Sequence, residues 1–264
     1  MRRAVAAALL LALPAWAAAG AAAWGEIPVP ELREPQPAAV IVDDIGPDLG
    51  ASRRAIALPE AVTLSVLPYA PHARPLAERA YRQGHEVMAH LPMQPNGEAD
   101  PGPGALWLDT PEPEVRRRVR RAISAVPHAR GVNNHMGSLV TRHPGHMAWV
   151  MEELAERGDL YFVDSRTTAR TVAQQLAAEH GIPNAAREVF LDPRRDPEVI
   201  AEQFERFVEL SRRQGGVIAI GHPYAETLRL LERELPRLRE RGVRLVPVST
   251  LVDQHRSGKE EFSP

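Results

Sequence analysis

The chain has 264 residues, a formal net charge of −2 and no cysteine. A charge this close to zero argues against a nucleic-acid binder held by phosphate contacts. The missing cysteines exclude disulfide staples and thiolate ligands, so any metal must be held by His, Asp or Glu.

Met1-Arg2-Arg3, the apolar run Ala4–Ala19 and the small residues through Ala23 read as an export signal over residues 1–23, cleaved or kept as an anchor. Either way the domain is expected outside the cytoplasm, in the periplasm or extracellular space. No later stretch is apolar for long enough to span a bilayer, so no membrane span is expected after signal cleavage. Residues 24–37, with Pro28, Pro30, Pro35 and Pro37, read as an extended linker. Residues 38–252 read as one domain and residues 253–264 as a polar tail.

Within the domain, short apolar runs alternate with helical segments. Strands are predicted at Ala38–Val42, Val62–Leu67, Glu86–Ala89, Gly131–Asn133, Leu160–Val163, Val189–Leu191, Val217–Ile220 and Arg244–Val248. Apolar residues at 3.6-residue spacing predict helices at Ala73–Gln83, Pro113–Ala125, His146–Arg157, Pro197–Arg213 and Ala225–Arg241. Gly84, Gly158 and Gly242 follow three of them, in the place where glycine ends a helix. Strand followed by helix implies an α/β fold with a parallel sheet, either closed as a barrel or open and doubly wound. The length favours a distorted (β/α) barrel of seven or eight strands.

Such folds carry their sites at the carboxyl ends of the strands. Here those ends carry Asp43, Asp44, His90, His135, Asp164 and His222. Three histidines after apolar strands, converging on a paired Asp-Asp, point to a metal site. Two imidazoles and one carboxylate leave coordination positions open for water and substrate, as in catalytic zinc sites. A second carboxylate can take a proton from water, and a histidine across the site can protonate a leaving group.

Ile41-Val42-Asp43-Asp44-Ile45-Gly46, Gly84–His90 and Ala219-Ile220-Gly221-His222 resemble motifs of the polysaccharide deacetylases. The closer resemblance is to their divergent, exported bacterial family. It is carried by His90-Leu91-Pro92-Met93-Gln94-Pro95, Gly131–Ser138 (GVNNHMGS), Phe162–Thr167 and Gly221-His222-Pro223-Tyr224. The resemblance implies a divalent metal, expected to be Zn2+, and hydrolysis of acetyl groups on a carbohydrate. It makes Asp43 the base, Asp44 and His90 metal ligands, His222 the acid, and Asp164 the group that orients or charge-balances His222. Ordinary deacetylases have a second histidine where this chain has Gln94, so His135, which also ends a strand, is assigned as the third ligand. Their Arg-rich motif is missing, and Arg166 is the expected substitute for holding the base. Asn134, Gln94, Arg166 and Tyr224 are the expected substrate contacts, while Trp107, in the Pro/Gly-rich loop 95–113, either stacks on a sugar ring or folds back on the barrel. The competing readings are a metal- or glycan-binding protein without turnover and a glycosidase. The latter needs two separated carboxylates, which adjacent Asp43-Asp44 fit poorly.

Overall fold

The computed structural model describes residues 34–260. The export signal, most of the linker and residues 261–264 lie outside the described residues. Nine strands form one sheet: β1 (Gln36–Ile45), β2 (Thr63–Val66), β3 (Val87–Met93), β4 (Ala129–Met136), β5 (Tyr161–Asp164), β6 (Asn184–Ala186), β7 (Val189–Phe190), β8 (Val217–Gly221) and β9 (Val243–Leu245). All pairings are parallel, in the order β6-β5-β4-β3-β2-β1-β8-β7, with β9 added beside β1. The two ends of that order, β6 and β7, are separated in the chain only by Arg187 and Glu188. The eight-strand path must therefore curl round on itself, and it forms a half-barrel surrounded by helices, the distorted barrel expected.

The helices are α1 (Leu49–Ile56), α2 (Ala73–Arg82), α3 (Glu112–Ala125), α4 (Pro144–Arg157), α5 (Ala173–Glu179), α6 (Pro197–Gln214), α7 (Ala225–Glu234) and α8 (Val248–Glu260). None in the described residues is long and apolar enough to cross a membrane. Side chains alternate across the sheet. Val40, Val42, Leu64, Val132 and Phe162 join the core between sheet and helices. Ala39, Ile41, Met88, Tyr161, Val163, Ile218 and Ile220 fill a second core on the concave side. Burial on both faces explains why the strands read as continuous apolar runs.

Several boundaries differ from the sequence reading. Gln36 and Pro37, assigned to the linker, begin β1 and pair with Val243 and Arg244; a strand's first residues tolerate proline. The tail from Asp253 is helical through Glu260, because Val248, Leu251 and Val252 recur at helical spacing and plug the concave core. The α8 amide at Ser249 donates to Glu86 Oε1 and that at Val248 to Thr63 Oγ1. The helix expected over Ala225–Arg241 stops at Glu234 and passes into a 3-10 turn at Leu235–Arg237, where Pro236 cannot continue the α-helical ladder. Besides α8, three further strands and α-helices were not foreseen: α1, whose N-cap Asp48 accepts from Ala51 N at 2.8 Å, α5 and the three-residue β6.

Candidate metal centre

Strand alternation decides which polar residues enter the mouth of the half-barrel. Asp43 shares the concave face with Ala39 and Ile41, His90 with Met88, and His222 with Ile218 and Ile220. Asn133 and His135 alternate with Val132, which faces the helices. Asp44 should point the other way. It does not, because its backbone takes the left-handed conformation (φ 55°), and the β1–β2 register shifts between Val42 and Ile45. A non-glycine residue in that region is uncommon, and such residues gather at functional sites. β3 and β4 also run further than expected, past His90 to Met93 and past His135 to Met136, so both histidines sit within paired strands.

The three expected ligands converge. Asp44 Oδ1 lies 3.0 Å from His135 Nδ1 and 3.3 Å from His90 Nε2, and the two imidazole nitrogens are 3.2 Å apart. Asp44 Oδ1 is buried, yet within the described residues no donor meets it in hydrogen-bond geometry. An unpaired buried carboxylate oxygen is costly. One carboxylate oxygen and two imidazole nitrogens this close together are the donor set of a divalent zinc-type ion, so the residues fit a cation. Charge agrees. Burial works against a proton on His90, but Asp43 and Asp44 outweigh it and raise its pKa. Burial likewise opposes ionisation of Asp44, but the two imidazoles hold it far below the usual carboxylate range. The pocket thus draws positive charge into a place where His90 is 2 % exposed.

Asn133 sets the orientation of this cluster. Its Nδ2 donates to Asp43 Oδ1 at 2.8 Å. A carboxylate can only accept, so Asn133 Oδ1 must face His90 Nδ1, 2.8 Å away, and Ser65 Oγ, 2.6 Å away. His90 therefore donates through Nδ1, leaving Nε2 free as a ligand in the neutral ring. Asp43 Oδ2 sits 3.5 Å from His90 Nε2, beside the trio.

His222 stands across the mouth, its Nε2 3.9 Å from Asp44 Oδ2. The residue that orients it is Asp192, which corrects the assignment of Asp164. Asp192 Oδ1 accepts from His222 Nδ1 at 2.9 Å, and Oδ2 accepts from His222 N and Thr227 Oγ1, each at 2.7 Å. Burial disfavours the imidazolium, but Asp192 outweighs it and the His222 pKa is pushed up to about 9. Asp164 shares the parity of Phe162 and turns towards the helices. There it accepts from Arg166 N, Thr171 Oγ1 and Gln174 N, fastening the turn after β5.

Asp43, Asp44, His90, Asn134, His135, Arg166, His222 and Tyr224 line one cavity of about 350 Å³. Tyr224 stacks on His222 (5.3 Å, 26°) under the Arg195 guanidinium. Asn134 reaches the cavity with both amide ends already used, accepting from Ser165 N and donating to Met136 O. Gln94 is outside it. Its Oε1 accepts from Leu108 N at 2.9 Å, so it holds the loop 95–113 instead of meeting a ligand. Arg187, which the sequence reading passed over, lines the same cavity; burial lowers its pKa against the opposing negative charges of Asp43 and Asp164. Its guanidinium is fixed by the carbonyls of Ser165 and Arg166.

A family model described as divergent polysaccharide deacetylase matches residues 40–252. YibQ, an uncharacterized protein of Escherichia coli (strain K12), is 39 % identical over 216 residues, covering 82 % of this chain and 67 % of its own length. The fold is similar to that of an uncharacterized protein of Agrobacterium tumefaciens C58, with a TM-score of 0.79 at 24 % identity, over 83 % of this chain and 89 % of that one. It also resembles a mutant, with restored enzymatic activity, of a CE4 family pseudoenzyme, with a TM-score of 0.50 at 14 % identity, over 83 % of this chain and 68 % of the other.

Proposed function

The chain belongs to the divergent polysaccharide deacetylase family, and from that premise we propose that it is a metal-dependent hydrolase removing acetyl groups from an envelope or extracellular carbohydrate. One observation carries the reading. A trio of buried His90 and half-buried Asp44 and His135 lies between a carboxylate, Asp43, and a histidine, His222, that has its own carboxylate partner. A protein that only bound a metal or a glycan would have no use for that flanking pair.

Asp44, His90 and His135 would hold the ion, zinc in this proposal. When bound, it supplies Lewis acidity, polarising an acyl oxygen and making nearby water more acidic. Asp43, held by Asn133 Nδ2, takes the proton from attacking water. His222, protonated at neutral pH by virtue of Asp192, gives its Nε2 proton to the departing sugar nitrogen or oxygen. Arg187 balances the charge of Asp43, and Tyr224 keeps the His222 ring in plane. The proposal includes export, resting on the apolar run after Arg2-Arg3.

The test is metal analysis of untagged protein together with an acetate-release assay on N-acetylated and O-acetylated glycans. Near one equivalent of zinc and zinc-dependent acetate release are expected. Bound zinc with no acetate release from either substrate class would move the protein to the binding role.

A further inference from the structure

A second cavity of about 350 Å³ adjoins the metal trio at His135. His135 lines both cavities, so the imidazole that faces Asp44 is their common wall. The second cavity is built from the carboxyl ends of β1 to β4 and from the loop 95–113. Six of its twelve lining residues are proline: Pro47, Pro68, Pro71, Pro92, Pro101 and Pro103. Proline offers no backbone N–H. Leu67, Ala70 and the Tyr69 ring add further apolar surface, while Asp100 brings a carboxylate to the exposed rim, where its Oδ1 accepts from Gly102 N.

The wall is preformed. The loop is pinned by the Met93–Leu106 bridge, by Gln94 Oε1 accepting from Leu108 N, and by Arg118, which donates to the Ala105 carbonyl. Gly104 (φ 75°) lies against the Tyr69 ring so closely that a Cβ there would fall 2.1 Å from Tyr69 Cε2. The volume falls within the size of small-molecule sites, about 300–1000 Å³.

We propose that this cavity is the acyl subsite of the metal centre, and that the groups removed include aliphatic acyl chains longer than acetyl. The proposal rests on the metal-dependent hydrolase reading and extends its substrate class. A sugar ring placed here would surrender its water hydrogen bonds to walls that return few. An alkyl chain loses none and gains by leaving water. An acetyl group, held at the trio, would leave the cavity unfilled. With the carbonyl at the trio, the chain passes His135 into the proline-walled cavity and the sugar remains on the His222 side. Water adds to the acyl carbon, the C–N or C–O bond to the sugar breaks, the sugar leaves with the proton from His222, and the chain leaves as a carboxylate.

Alkyl hydroxamates separate this proposal from the reading beneath it. Their head group chelates the ion, and the chain length is free to vary. Calorimetry on zinc-loaded protein with acetohydroxamate, butyrohydroxamate, hexanohydroxamate and octanohydroxamate reads affinity directly, without turnover. Each buried methylene is worth up to about fourfold, so octanohydroxamate should bind at least tenfold tighter than acetohydroxamate. Ala70→Phe, which fills the cavity, and Pro103→Glu, which puts a second carboxylate beside Asp100 at its exposed rim, should each cut that gain to under about threefold. The Pro103 site gives up no backbone hydrogen bond on substitution, which keeps the test available should Ala70→Phe fold poorly. Zinc-dependent binding of acetohydroxamate with no gain along the series, or a gain that persists in both variants, would overturn the acyl subsite and leave the metal centre standing. Absence of zinc-dependent binding for every hydroxamate would overturn the metal reading, and the subsite with it.

Discussion

Asp192→Asn tests the acid–orienter assignment with almost no change of shape. The carboxylate accepts three hydrogens, from His222 Nδ1, His222 N and Thr227 Oγ1. An asparagine oxygen can keep the two at the Oδ2 position. Its amide nitrogen must then face His222 Nδ1, and two donors cannot share a hydrogen bond. The arrangement is satisfied only if His222 becomes neutral, with its proton on Nε2. Burial, which already opposes the imidazolium, would then act without its main counterweight, and the pKa should fall from about 9 to 6.5 or below. That fall is worth about 3 kcal/mol of preference for the charged form. At pH 7.5 the protonated fraction would drop from nearly complete to about one tenth. The sign for stability follows. A folded-state pKa above the ordinary 6.5 means the pair stabilises fully below pH 6.5 and loses its effect as pH rises through about 9. Wild-type protein should therefore lose stability between those limits, and Asp192→Asn should not. Imidazole 15N chemical shifts followed against pH on metal-free protein read the pKa directly, and urea midpoints at pH 6 and 9 read the linkage. A His222 that still titrates near 9 in the variant would refute the assignment.

The adjacent carboxylates should separate by metal content. Asp44→Asn should lose zinc and activity together, whereas Asp43→Asn should keep zinc and lose about 10²–10⁴-fold in kcat, as read by metal analysis and acetate release. Equal zinc loss in both would make them a joint ligand set. Asp164→Ala should destabilise the protein by about 1–2 kcal/mol, since it removes the acceptor of three part-buried hydrogen bonds, yet leave the His222 titration in place. A His222 pKa that falls with it would return Asp164 to the orienting role.

The order of elements and most of the site were legible in the sequence, because short apolar runs ending in Asp or His carry both the sheet rhythm and the positions of its mouth. Legibility failed where the relevant information is parity along a strand. Phe162-Val163-Asp164 and Phe190-Leu191-Asp192 look alike as text, each an apolar strand end followed by an acid. Pairing decides between them. Tyr161 and Val163 face the concave core, so Asp164 falls on the helix side; Val189 and Leu191 face the helices, so Asp192 falls inside, opposite His222. Counting by twos from the first committed apolar residue would have separated them, but that needs the face of Val189 to be known, and a strand as short as β7 does not announce its face. Asp44 is the converse case. By parity it should have left the site, and a motif resemblance kept it there. The structure shows the device that reconciles the two, a left-handed residue at a register shift in β1. The same device answers how neighbouring carboxylates can do different work. Asp43 reaches the mouth along the ordinary pleat and is tied to Asn133, while Asp44 is swung in from the other face with Oδ1 left unpaired between two imidazoles. A strained backbone that delivers an orphaned carboxylate oxygen to a buried point costs stability, and a cation at that point offsets the cost.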